Sequence, residues 1–192
     1  MRGETINNAN IYIGLVHYPV YDRNRSVVAA AVTTVDIHDI ARSARTFDLG
    51  GFYVITPLRS QYQLVERLLR HWVEGTGAAY NPTRQHALSL VTVKESMDGT
   101  IGDISRQWGA EVKVVATAAR SYRENIGYHE LRDVLSKRSQ PFLLLFGTGW
   151  GMTEEVIGNS DYILAPIEGS DYNHLSVRSA AAIILDRLLG RI

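Results

Sequence analysis

The run Phe142-Leu143-Leu144-Leu145-Phe146, five consecutive apolar residues, narrows the possible folds more than any other feature of the chain. A strand with one wet face alternates apolar and polar side chains. This run instead offers apolar side chains to both faces, as central strands of parallel sheets do. Residues 11–16 read as a second buried strand, ended by His17-Tyr18-Pro19, and residues 27–33 as a further extended run after a polar turn at 22–25. More strands are expected at 52–56, 88–93, 112–116 and 162–164. Between them lie stretches with apolar residues at helical spacing. One begins at Asp36, with Ile37, Ile40, Ala41 and Ala44 on one face, and Gly50-Gly51 stops it. Others span 62–72, 84–87, 97–108, 129–135, 153–157 and 177–189, with loops at 75–77 and 81–82. This alternation predicts an α/β fold: a mostly parallel sheet with helices on both faces. In such sheets ligands sit beyond the carboxyl ends of the strands. The loops after Thr56, Ala116, Phe146 and Leu164 are therefore the ones to watch.

The 192 residues suit a single domain, 1–192, with one sizeable core. The chain has no cysteine, which excludes disulfides, thiolate catalysis and cysteine metal sites. Its six histidines have no metal-binding spacing on a shared helix face, so no metal is expected. No run reaches the roughly 20 apolar residues that cross a bilayer. The start, Met1-Arg2-Gly3-Glu4-Thr5, lacks an apolar signal core, and a cytoplasmic protein is expected. The 20 basic and 20 acidic residues balance, but 17 of the basic ones are Arg, whose planar fork suits phosphate and stacks on bases. Composition alone leaves an RNA partner open.

Gly147, Gly149 and Gly151 follow directly on the strongest strand. They allow a sharp turn and close approach to a ligand, and Thr153 is placed to cap the next helix. A dinucleotide loop needs Gly-x-Gly-x-x-Gly, whereas Met152 fills the third position here. Glu154 and Glu155 at the helix start would repel a pyrophosphate. An adenosine ligand without phosphate, such as S-adenosylmethionine (SAM), suits the loop better; a tight structural turn is the plain alternative. A second segment, residues 164–183, is a loop shaped by Pro166 and Gly169 that runs into a helix capped by Ser176. Ala180, Ala181 and Ala182 give that helix a small-residue face.

Ile167, Gly169, Leu175, Ser176, Val177 and Ala180 resemble the final signature of the SpoU–TrmD (SPOUT) class of SAM-dependent RNA methyltransferases. Residues 146–151 resemble the middle cofactor loop of that class, and Val114-Val115-Ala116-Thr117-Ala118 the strand opening its knotted region. Residues 36–57 resemble the first SpoU signature, with Arg45 in place of its arginine but without the Asn upstream. The likeness is nearest to a stand-alone bacterial subfamily related to the carboxyl-terminal domain fused to some tRNA guanine-N1 methyltransferases.

The resemblance implies a deep carboxyl-terminal trefoil knot at about 112–192, a homodimer and an RNA substrate, tRNA or rRNA. It implies methylation of a base, guanine-N1-like, slightly ahead of a ribose 2′-oxygen. It also implies a SAM site made by Thr117, Ala118, Phe146, Gly147, Thr148, Gly149, Trp150 and Gly151. The other wall would be Leu164, Pro166, Ile167, Gly169, Tyr172, Leu175 and Ser176. Methyl transfer asks the protein to align an acceptor atom and manage one proton. Asp36, Arg42 and Arg45 on the first helix, with Asn173 and Ser176 on the last loop, are the catalytic candidates. His38 is a weaker base candidate. His17, Tyr18 and the loop around Tyr80 and Arg84 are weaker RNA contacts. A non-catalytic SAM- and RNA-binding dimeric module, or a nucleotide-cofactor enzyme, stands as the alternative.

Overall fold

The structure is a computed structural model and describes residues 8–137, 140–170 and 172–190. The opening pentad read above lies outside them. The chain begins with β1 (Asn8–Val16), then a hairpin of β2 (Val20–Tyr21) and β3 (Val27–Val28), then α1 (Thr34–Thr46) and β4 (Leu49–Ile55). Next come α2 (Arg59–Leu69), a π-helical turn (Arg70–Glu74), α3 (Thr76–Tyr80), α4 (Pro82–Leu88), β5 (Val91–Lys94) and α5 (Met97–Trp108). The rest is β6 (Lys113–Thr117), β7 (Asn125–Ile126), α6 (Tyr128–Ser136), β8 (Phe142–Gly147), α7 (Glu154–Gly158), β9 (Tyr162–Leu164) and α8 (Val177–Leu189).

Seven strands form one sheet in the order β5-β4-β1-β8-β6-β9-β7, and every pairing in it is parallel. The chain builds outward from β1 to β5, crosses to β6 and β7, then returns twice. On the first return β8 fills the gap between β1 and β6; on the second β9 fills the gap between β6 and β7. Because all strands are parallel, their carboxyl ends share one edge of the sheet.

The alternation of side chains explains the apolar run. Phe142, Leu144 and Phe146 enter one core with Ile37, Val65, Leu131 and Ile184 from α1, α2, α6 and α8. Leu143 and Leu145 enter the other with Ile104, Val156 and Ile157 from α5 and α7. All five are essentially removed from water, each contributing roughly 1.5–3 kcal/mol of burial. Helices thus cover both faces, as the sequence predicted.

Three local expectations need correcting, and β7 was not read. Gly50 and Gly51 do not stop α1; they lie inside β4, and the helix ends at Thr46 with Asp48 in a left-handed turn (φ 53°). Gly50 is there for space, since a Cβ would meet the Ala9 carbonyl oxygen at 2.1 Å. Gly50→Ala is expected to cost about 2 kcal/mol, read as an earlier urea midpoint. Residues 27–33 are strand only at Val27–Val28, paired antiparallel with β2. Residues 75–82 are largely helical: Thr76–Tyr80 forms α3, while Asn81 caps α4 by accepting from the Arg84 amide. Finally, β7 carries too few residues to show a period and was not legible.

Candidate functional site

A cavity of about 870 Å³ opens at the carboxyl edge of the sheet, within the range of small-molecule sites. Three loops build it. The loop after β6 gives Thr117, Ala118, Ala119 and Arg120. The loop after β8 gives Phe146 and the stretch from Gly147 to Gly151. The loop before α8 gives Ile167, Asn173, His174, Leu175 and Ser176. The hairpin adds Tyr21 and Arg25, and α1 adds Asp36.

The loops hold one another. Thr148 donates through its hydroxyl (2.9 Å) and its amide (3.2 Å) to the Val16 carbonyl at the end of β1. The Trp150 amide donates to the Tyr21 carbonyl in the hairpin (2.9 Å), and the Tyr21 amide to the Gly151 carbonyl (2.9 Å). Gly149 (φ 59°) and Gly151 (φ 95°) adopt left-handed backbone that L side chains resist. Thr117 donates to the Leu145 carbonyl (2.8 Å), and the Asn173 side-chain amide to the Ala119 carbonyl (2.9 Å). Ser176 caps α8 by accepting from the Ser179 amide, as its place before the helix suggested.

One wall carries charge. The Asp36 side chain is only 13% exposed and accepts from Arg178 at 3.0 Å and from the Thr33 hydroxyl. The same guanidinium reaches Asp39 at 3.4 Å. Arg178 therefore ties the amino end of α8 to that of α1. Beneath this wall lies His17, 1% exposed. Neither ring nitrogen meets hydrogen-bond geometry, although the Ala30 and Ala31 backbone lies close enough to favour the charged ring slightly. Burial dominates and pushes its pKa down to about 4 despite the nearby Asp36 carboxylate.

The chain matches the family model of SAM-dependent RNA methyltransferases over residues 10–190. It belongs to that family. It is similar to a tRNA (guanine-N(1)-)-methyltransferase of Oleidesulfovibrio alaskensis, 47% identical over 94% of this chain. The chain spans only 42% of that relative's length. An uncharacterized protein of Aquifex aeolicus is 40% identical, with 96% of this chain and 90% of that protein covered. In fold, the chain is similar to the SpoU methyltransferase AviRb from Streptomyces viridochromogenes, solved in complex with AdoMet. That match has a TM-score of 0.55 at 19% identity and covers 96% of this chain and 58% of the other.

The residues present fit the cofactor of this methyltransferase family. The floor is apolar, with Phe146, Ile157, Ile184 and Val177, and suits an adenine ring. The walls are loop backbone, free to read ring and ribose edges. Asp36 adds a carboxyl group to the lining. The helix that follows the glycine loop starts with Glu154 and Glu155, which disfavours a phosphate group at that turn.

Most residues read from the sequence converge on the cavity, but several do not. Leu164 is buried in the core at the end of β9 rather than facing the cavity. Pro166, Gly169 and Tyr172 do not line it; Tyr172 is 72% exposed, with its ring edge on His174. Arg45 lies at the far end of α1 and donates to the His86 carbonyl (3.0 Å) and the Ser89 hydroxyl (3.3 Å). Arg42, exposed one turn earlier, also lies away from the cavity. Both lie outside the cavity because α1 presents only its first turn to it.

His17 is too buried to touch RNA. Arg84 stacks on Trp72 (4.2 Å), and His38 sits edge-on to the same ring (5.7 Å), its pKa lowered chiefly by burial. Of the small-residue face, Ala180 lines the cavity, Ala181 is core and Ala182 is exposed. Sequence reading missed Arg178, Arg25, Arg120, Tyr21 and Tyr122. Arg178 carried one signal, its place directly after Leu-Ser-Val; the others carried none.

Proposed function

We propose that this chain methylates RNA, with tRNA the favoured substrate and a guanine-N1-like base nitrogen the favoured acceptor. The observation that carries this reading is the cavity between the three loops, with Asp36 on its wall and held from α8 by Arg178. The name of the 47% identical relative supports tRNA and guanine N1, although that protein extends well beyond the matched region.

When bound, SAM supplies an electrophilic methyl group on a sulfonium. The protein must hold the acceptor in line and take away one proton. Asp36 is the carboxylate among the described cavity residues and accepts the N1 proton. Arg178 holds that carboxylate in place from α8. Asn173 and Ser176 shape the loop over the acceptor. The apolar floor and loop backbone position the adenosine.

The whole chain, 1–192, acts as one domain in this reading, with about 112–192 forming a trefoil knot. The late insertion of β8 and β9 between earlier strands supports the knot. A homodimer is supported by Val35 and Leu175, apolar side chains 47% and 44% exposed near the packed ends of α1 and α8. A tRNA substrate places the protein in the cytoplasm.

The deciding experiment incubates the protein with bulk tRNA and rRNA and radiolabelled SAM, then identifies the modified nucleoside by mass spectrometry. Label in a methylated guanine of tRNA is the expected result. SAM binding by calorimetry without any transfer would make the chain a non-catalytic module. Absence of SAM binding would remove the proposal altogether.

A further inference from the structure

The outer rim of the cavity gathers side chains that neither the fold nor the proton chemistry uses. The hairpin contributes Tyr21 and Arg25, the loop after β6 contributes Arg120 and Tyr122, and the loop after β8 contributes Trp150. Arg25 lies over the Tyr21 ring at 4.2 Å, and Arg120 over the Tyr122 ring at 4.9 Å. Stacking fixes the plane of each guanidinium. Both then donate to the same oxygen of Glu154, Arg25 at 3.1 Å and Arg120 more closely. The three side chains remain about half exposed, so this is a surface cluster and not a buried brace. Beside it Trp150 is 63% exposed, although its backbone is pinned to the hairpin.

A single oxygen taking bonds from two oriented guanidiniums is the arrangement a non-bridging phosphate oxygen would adopt. An exposed aromatic face on a rigid loop is what an unstacked base requires. Apolar burial explains neither feature, and the loop would close equally well without an indole at position 150.

We propose that this rim seats the RNA strand next to the nucleotide being methylated: Trp150 takes a base on its face, and Arg25 and Arg120 take the adjoining phosphate. Glu154 holds the two guanidiniums in the RNA-free protein and yields them to that phosphate. The assignment rests on reading the cavity as the site of RNA methylation.

The test measures binding of a short fluorescein-labelled single-stranded RNA, and of bulk tRNA, over a salt series. Calorimetry with SAM is run on each variant, and thermal melting confirms folding. The double variant R25A/R120A is expected to bind RNA at least about tenfold more weakly. Its plot of log affinity against log salt should be shallower by roughly 0.7, the slope for one lost phosphate contact on a single strand. Trp150→Ala is expected to bind about tenfold more weakly with the salt slope unchanged, and Trp150→Phe to restore most of the affinity. Glu154→Gln should tighten binding at low salt. SAM affinity should stay at the wild-type value in R25A/R120A and Glu154→Gln.

Wild-type RNA affinity and slope in R25A/R120A and Trp150→Ala would overturn the proposal, as would a wild-type protein that binds neither RNA. Loss of SAM affinity in Trp150→Ala with RNA binding intact would assign the indole to the cofactor and overturn it equally. A wild-type protein that does not bind SAM would instead be a failure of the underlying reading of the cavity, a distinct result.

Discussion

Asp36→Asn is expected to slow methyl transfer to RNA at least about a hundredfold, some 2.7 kcal/mol of barrier, in single-turnover assays. Asparagine keeps the volume of the side chain and its contact with Thr33, but it cannot take a proton. The position matters because the carboxylate is largely withdrawn from water, lines the cavity and is held from a second helix by Arg178. Arg178→Ala is expected to act less severely, about tenfold, because it removes the holder and leaves the base. Arg178→Lys should recover part of that loss, since a single ammonium replaces one arm of the guanidinium but not the reach to Asp39. Arg45→Ala serves as the contrast. Its side chain braces the end of α4, so it should lower the melting temperature with little change in the rate of folded protein. A wild-type rate in Asp36→Asn would remove Asp36 from the chemistry.

The contrast between Asp36 and Arg45 shows what a sequence exposes and what it hides. Apolar periodicity is a property of neighbours along the chain, so β8, α5, β9 and α8 were all legible within a residue or two. All three cavity loops were legible from their place after apolar strands, and two of them also carried a local mark. Each of those two directly follows a strongly apolar strand or precedes a capped helix, where a glycine or serine has a local job. Which end of α1 meets the cavity is a different kind of fact. It depends on how α1 packs against α8, and the ten residues from Asp36 to Arg45 carry no trace of that direction. Arg178 was hidden for the same reason, because its partners lie 142 and 139 positions earlier in the chain. The hairpin was missed because two-residue strands have no period to read. Its role comes from pairing with a loop more than a hundred residues away, through the Tyr21 contacts with Trp150 and Gly151. Gly50 was misread because a glycine that makes room for a neighbouring strand looks, in sequence, like one that ends a helix.

His17 gives the clearest dependence on pH. Its folded pKa, about 4, lies below the unfolded value of 6.5. Above about pH 6.5 the ring is neutral in both states and costs nothing. As pH falls from about 6.5 towards 4, the unfolded chain takes up a proton that the folded protein refuses, so stability falls by about 1.4 kcal/mol per pH unit. Below about pH 4 both states are protonated and this contribution levels off, after a total loss of about 3 kcal/mol. Urea unfolding at about pH 8 and pH 5 should therefore differ by about 2 kcal/mol through this residue alone. Most carboxylates remain ionised over that interval, and His38, lowered in the same direction but only half-buried, adds a smaller share. His17→Gln isolates the effect, because whatever it does to absolute stability, it should flatten most of the slope. Equal midpoints for the wild type at the two pH values would mean that the ring finds a compensating partner when protonated. Asp36 is the charge near enough to be that partner, and the double variant with Asp36→Asn would then restore the acid sensitivity.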